Sequence, residues 1–354
     1  MKLLYWLLLC IPVALLAHFV FRLDDGIVFV FTCLGIVPLA AVLGDATEQI
    51  SYYVGPKVGG FLNATMGNVP ELLICGFAIK AGMHSLVLAS LAGSIFGNIL
   101  LVTGMSVLCG GLKYKFLTYN TNITHTNFSL LAFALFAVSV PFFFKFAHGG
   151  AVSDIVINDF SLILAIIMVV LYVLGLVFSL ITHRDIFVLE SEDEEDEEGP
   201  DWSLKKGVVV MLAATAVVAV MSELLVETVE GAAEKFGLNE AFVGIILIPI
   251  LGNVAEHASA IIMAIRGKLD ISIEIAVGSS MQIAIFVTPL MIIFSAFTGD
   301  IMGYLYTPME LLGLWLSIGL SYVLFLDKKA NWLEGAIHIV AYLILAAGFL
   351  MFGI

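Results

Sequence analysis

Long apolar runs, broken by short polar or charged connectors, dominate the chain. Each run is close to the roughly 20 residues that an α-helix needs to cross the hydrocarbon of a bilayer. Eleven spans are predicted: 3–22, 26–54, 58–81, 85–111, 128–146, 158–182, 205–233, 239–265, 270–297, 302–326 and 332–353. Several are longer than a span requires and carry Gly or polar residues, which predicts tilted or locally unwound helices. The expected fold class is an all-α polytopic membrane protein of about eleven transmembrane helices.

The pattern repeats. GNVPELLICGFAIKAGMHSLVLASLAGS (67–94) and GNVAEHASAIIMAIRGKLDISIEIAVGS (252–279) align without a gap, with Gly67/Gly252, Asn68/Asn253, Val69/Val254, Glu71/Glu256, Gly82/Gly267, Gly93/Gly278 and Ser94/Ser279 identical. Apolar stretches match by chance at Leu, Val and Ala, but not readily at Gly, Asn, Glu and Ser in order. Five spans per half reverse the second half in the membrane, the inverted-repeat plan of many secondary transporters. The expected organisation is an N-terminal transmembrane helix (1–25), a first five-helix repeat (26–184), an acidic cytoplasmic linker (185–204) and a second five-helix repeat (205–354).

Composition agrees with lipid as the solvent. Of 354 residues 61% are hydrophobic and 12% charged, with a mean hydropathy of +1.09. A soluble domain carries about 25% charge. The net charge of −14 excludes a basic nucleic-acid-binding surface, and nine of the 29 acids lie between Glu190 and Asp201. That run reads as a solvated linker, or as a segment that gathers cations. The four cysteines lie in apolar runs without paired spacing, so no disulfide framework or zinc site is expected. With the N-terminus cytoplasmic, eleven basic residues fall inside (Lys2, Lys57, Lys113, Lys115, Arg184, Lys205, Lys206, Arg266, Lys268, Lys328, Lys329) and four outside (Arg22, Lys80, Lys145, Lys235). The C-terminus is then outside.

The repeat places one carboxylate in the middle of a span in each half, Glu71 and Glu256. An ionisable group at that depth is expensive and marks function by default. Asn68 and Asn253 precede them by three residues and share their helix faces. Two carboxylates, two amide oxygens and nearby backbone carbonyls make an all-oxygen set for a hard cation such as Ca²⁺. The bland alternative is a protonated pair that only holds helices together. Supporting polar candidates are Ser94 and Asn98 in the first half and Ser279 and Gln282 in the second; interhelical hydrogen bonding would also explain them. His257 falls off the Glu256 face, and a proton relay and a packed neutral imidazole are both open. Asp45, Glu48, Glu223, Glu227 and Glu230 could line the approach or simply be solvated helix ends.

LNATMGNVPELL (62–73), GSIFGNILLV (93–102), ILGNVAEHASAIIMA (250–264) and VGSSMQIAIF (277–286) resemble the two α-repeat motifs of the calcium/proton exchanger family, within the calcium/cation antiporter superfamily. The likeness covers nearly the whole chain. It implies Ca²⁺ export in exchange for H⁺ with no cofactor, Glu71 and Glu256 as the shared site, and spans 2 and 7 as moving gate helices. Sodium/calcium exchangers typically carry Ser or Thr at Asn68 and Asn253 and Asp at Glu256; Pro70, where the family usually has Ala, is shared with them. Burial favours the neutral form of a carboxylate, so protons can compete with Ca²⁺. The expected setting is a prokaryotic plasma membrane, with the lipid bilayer, Ca²⁺ and H⁺ as partners and room for a homo-oligomer. The alternatives are a Na⁺-coupled Ca²⁺ exchanger, an intramembrane hydrolase using a carboxylate dyad, and a channel. No HExxH or Ser/His arrangement supports hydrolysis.

Overall fold

The computed structural model describes residues 4–119, 121–182, 199–326 and 328–353. The acidic run Glu190–Glu198, and with it most of the expected linker, lies outside them. Twelve helices are found among the described residues: α1 (Tyr5–Val20), α2 (Asp25–Met66), α3 (Val69–Lys80), α4 (His84–Lys113), α5 (Thr121–Ala147), α6 (Asp154–Val177), α7 (Leu204–Phe236), α8 (Glu240–Gly252), α9 (Val254–Ile265), α10 (Leu269–Thr298), α11 (Pro308–Leu324) and α12 (Trp332–Phe352). α2 breaks at Gly55, whose φ of 79° is outside helical space. Seven helices are long and apolar enough to cross a membrane alone, and α8 with α9, bent by 61°, would make an eighth. α1 and α11 are shorter apolar helices. Much of this apolar surface is left uncovered within the chain. Only 22% of the apolar window of α6 is buried, and Ile163, Ile166, Ile167 and Val170 stand exposed.

The internal repeat reappears as matching helix boundaries. α3 and α9 begin at Val69 and Val254 and end at Lys80 and Ile265; α4 and α10 run His84–Lys113 and Leu269–Thr298. The turns between them pass through Gly82 and Gly267 at φ +76° and +83°, where a side chain would be strained. α4 and α10 each contain a π-type turn, Gly97–Val102 and Ile283–Val287. Such a turn frees carbonyls from the regular ladder. Thr103 and Thr288 answer it alike, donating to the carbonyls of Asn98 (2.9 Å) and Ile283 (2.8 Å).

The run expected at 302–326 is helical only from Pro308. Proline fits the first turn, where its missing N–H costs nothing. Thr307 and Glu310 close a capping box around it. Upstream the chain is irregular and largely buried, with the Met302 N–H on Ser295 Oγ (2.8 Å) and the Tyr304 N–H on Ser161 Oγ (3.0 Å).

Two compact units form, and each draws on both sequence halves. One holds Met1–Phe77, Phe187–Leu238 and Leu251–Ala255. In it α1 packs on α2, and α2 on α7. A methyl on Gly207 would sit 2.9 Å from Ile50, so small residues set that approach. Lys235, in the last turn of α7, donates to Asp24, the N-cap of α2, and holds that exposed carboxyl below its ordinary range. The other unit holds Ala78–Ile186, Asn239–Ile250 and Glu256–Ile354. α4 packs there on α8 and α12, and Leu117–Thr118 pairs antiparallel with Lys329–Ala330. At Gly93 a methyl would fall 1.9 Å from the Ile245 carbonyl oxygen, and at Gly335 2.3 Å from the Leu108 nitrogen. These helices touch backbone to backbone.

Candidate functional site

Both candidate carboxylates follow an interruption of the helix. α2 gives way to α3 through Gly67 and Asn68, and α8 to α9 through Asn253. Glu71 and Glu256 then fall in the first turns of α3 and α9. A helix N-terminus favours negative charge and leaves backbone groups free to bind ligands.

In the first unit, Asn68, Glu71 and Asn253 are 1%, 3% and 2% exposed, so amides and carboxylate are shut away from bulk water. Gly252 is the wall that Glu71 faces. A methyl there would lie 2.6 Å from Glu71 Oε1 and 3.2 Å from its Cδ. The glycine of the repeated Gly-Asn-x-x-Glu therefore makes room for the carboxylate of the opposite half.

In the second unit, Glu256 accepts a hydrogen bond from the Ser279 hydroxyl. Ser279 Oγ in turn accepts from Asn98 Nδ2 at 3.1 Å. Asn98 sits on the π-type turn of α4 and Ser279 just before that of α10, so the two turns present these groups. Glu256 Oε2 is buried without a protein hydrogen bond. Ser94 is buried and Gln282 half-buried, and both have polar partners. The Nε2 of His257 is buried without a protein hydrogen bond.

The approach acids carry the repeat as well. Asp45 and Glu48 stand before Gly55 as Glu227 and Glu230 stand before Gly237, and both glycines have positive φ. The first member of each pair is met by α1: Tyr5 donates to Asp45 Oδ2 at 2.6 Å, and His18 Nε2 lies 3.6 Å from Glu227 Oε2. Glu48, Glu223 and Glu230 are exposed. Sequence reasoning passed over Tyr5 and His18. It also passed over Glu274, the fifth residue of the run 270–297, which lies near the end of that run.

No group of three His, Cys, Asp or Glu side chains gathers to hold a metal among the described residues. A cation here would lean on carboxylates in ones and twos, on amides, hydroxyls, backbone carbonyls and water. That donor set suits a hard ion which must also leave.

A multi-pass helical membrane protein with a duplicated helix-break-and-carboxylate motif is thereby defined, the architecture of a transporter and not of an enzyme. The chain belongs to the sodium/calcium exchanger protein family, whose sequence model matches residues 26–181 and 206–351. Among curated proteins it is 44% identical over 329 residues to the Ca²⁺/H⁺ antiporter ChaA of Bacillus subtilis (strain 168), covering 92% of this chain and 93% of that protein. It is 37% identical to the vacuolar cation/proton exchanger 3 of Arabidopsis thaliana, across 97% of this chain and 77% of that one. Among solved structures, native YfkE superposes with a TM-score of 0.85 at 38% identity, covering 98% of this chain and 99% of that one. The sodium-calcium exchanger NCX_Mj, at 17% identity and a TM-score of 0.58 over 91% of this chain and 98% of that one, shares the fold.

Proposed function

We propose that this protein is a Ca²⁺/H⁺ antiporter that exports Ca²⁺ from the cytoplasm, with Glu71 and Glu256 as one exchange site working by alternating access. The observation that carries the reading is the recurrence of Gly-Asn-x-x-Glu at equivalent helix breaks in apolar spans, with Glu71 buried and Glu256 half-buried with its Oε2 shielded from water. The likeness to ChaA and to YfkE supports Ca²⁺ and H⁺ as the exchanged ions. Ca²⁺ neutralises two carboxylates, and two protons do the same. Either loaded state is close to neutral and able to switch sides; the empty site, with two unpaired charges in low dielectric, is costly to enclose. Competition for the same oxygens then gives coupling. Asn68 and Asn253 supply amide oxygens to Ca²⁺, and Asn98 with Ser279 holds Glu256 in place.

The excess of basic residues between spans supports a cytoplasmic N-terminus and acidic run with the C-terminus outside, and the likeness to ChaA of Bacillus subtilis supports a prokaryotic plasma membrane as the setting. The test is Ca²⁺ uptake into proteoliposomes with the pH and Na⁺ gradients set independently. Uptake driven by the pH gradient alone is expected. Uptake that follows only the Na⁺ gradient would overturn the proton reading in favour of Na⁺ coupling.

A further inference from the structure

Glu274 is a carboxylate inside the apolar run of α10 that the exchange site leaves unused. Its Oε2 accepts a hydrogen bond from Asn127 Nδ2 of α5 at 2.9 Å. Its Oε1 lies over Gly278, where an added methyl would meet it at 3.5 Å. That glycine belongs to the internal repeat, yet its two copies serve different ends. Gly93 admits the Ile245 backbone, whereas Gly278 lies beneath the Glu274 carboxylate. The first half has Ala89 at the position equivalent to Glu274, so only one half carries the extra acid.

We propose that Glu274 is a proton-carrying residue that serves the exchange site from the N-terminal end of α10; this rests on the proton-coupled reading above. Three observations bear on it. An acid within a span is costly and is kept for function. It precedes Ser279, the residue bonded to Glu256, by five positions, or about 7.5 Å of helix rise, so a proton held there is within about a turn and a half of α10 of the exchange site. And the surroundings suit a proton better than a dication. One carboxylate oxygen is already engaged, and no cluster of three acidic, His or Cys side chains stands there among the described residues. Ca²⁺ asks for about six to eight oxygens; a proton asks for one lone pair. The proton would leave a water for Oε1 and pass from Oε1 to the next water on the way to the exchange site, one O–H bond breaking as each new one forms.

The competing role is structural, a hydrogen bond that ties α5 to α10. Glu274→Gln separates the two, because the amide keeps an acceptor for Asn127 and loses the titration. Two modes are compared in proteoliposomes of the full chain: Ca²⁺ uptake driven by a pH gradient, and tracer Ca²⁺/Ca²⁺ exchange at equal pH. Glu274→Gln should slow the proton-driven mode roughly tenfold or more and leave Ca²⁺/Ca²⁺ exchange at the wild-type rate. Asn127→Ala, which cuts the tie and keeps the acid, should retain proton-driven uptake. Equal loss of both modes in Glu274→Gln, loss of neither, or an Asn127→Ala as damaged as Glu274→Gln would overturn the proposal. Failure of the wild-type protein to take up Ca²⁺ under a pH gradient would remove the functional reading itself, and this proposal with it.

Discussion

Gly252→Ala offers a sharp test of whether the Glu71 carboxylate binds the transported ion. The new methyl would lie 2.6 Å from Glu71 Oε1, 3.2 Å from Cδ and 3.7 Å from Cγ. Ordinary contact starts at 3.4 Å, so Oε1 must retreat by about 0.8 Å. The atoms it strikes belong to the far end of a flexible side chain, and none of the three nearest is backbone. A shift of that side chain, and not of the backbone, is then what absorbs the change. Gly252 closes α8, and alanine in place of a helical glycine recovers roughly 0.5–1 kcal/mol of backbone entropy. Stability should hold or rise slightly. Ligation is less forgiving: metal–ligand distances keep within about 0.2 Å of their ideal values, and a misplacement of about 1 Å at a reacting centre costs up to roughly a hundredfold. Ca²⁺ uptake under a pH gradient should fall by one to two orders of magnitude, mainly through a raised KM. The melting temperature in detergent should not fall. A Gly252→Ala protein with wild-type KM and turnover would refute the assignment of Glu71 as a ligand, because the carboxylate would have moved without consequence.

Glu71→Gln and Glu256→Gln should each abolish Ca²⁺ uptake, and Asn68→Ala and Asn253→Ala should weaken it less; either glutamine variant exchanging near the normal rate would end the shared-site model. Gly93→Ala is the opposite case to Gly252→Ala. Its methyl would meet the Ile245 carbonyl oxygen at 1.9 Å, and backbone cannot step aside, so loss of folded protein on size-exclusion chromatography is expected. Tyr5→Phe removes the hydroxyl from Asp45 and should lower the melting temperature by a few degrees, as loss of roughly one hydrogen bond to a carboxylate does. Asp24 has a folded-state carboxyl lowered by Lys235, so its contribution to stability is complete above the unfolded-state value and fades as pH drops through the folded one. Melting curves of Asp24→Asn against pH should lose that acid-side dependence.

Much of the architecture is legible in one dimension. Lipid imposes a long apolar run on every crossing helix, and seven helices, or eight with α8 and α9 as one bent span, are long and apolar enough to cross; the run 302–326 becomes helical six residues late, at Pro308. The Gly-Asn interruptions announce the breaks before Glu71 and Glu256. The depth of an acid in a run singles out that pair; Glu274, the fifth residue of 270–297, lies near the end of its run and is not marked by depth. Tyr5 and His18 gave no such signal. A tyrosine and a histidine near the end of an apolar helix look like interfacial residues, and only folding sets them beside Asp45 and Glu227.

The order of elements, the duplicated halves and the two central acids are thus determined by the sequence alone, because hydropathy and repetition act locally along the chain. Partnership is decided in three dimensions. Glu71 faces Gly252, Asn98 reaches Ser279 and Glu274 meets Asn127 across separations of 181, 181 and 147 residues. Each of these contacts depends on how closely two helix backbones approach, and that of Asn98 also on the π-type turn that carries it. No periodicity encodes those quantities. They come from close packing, and they decide which of the polar groups in the spans meet one another.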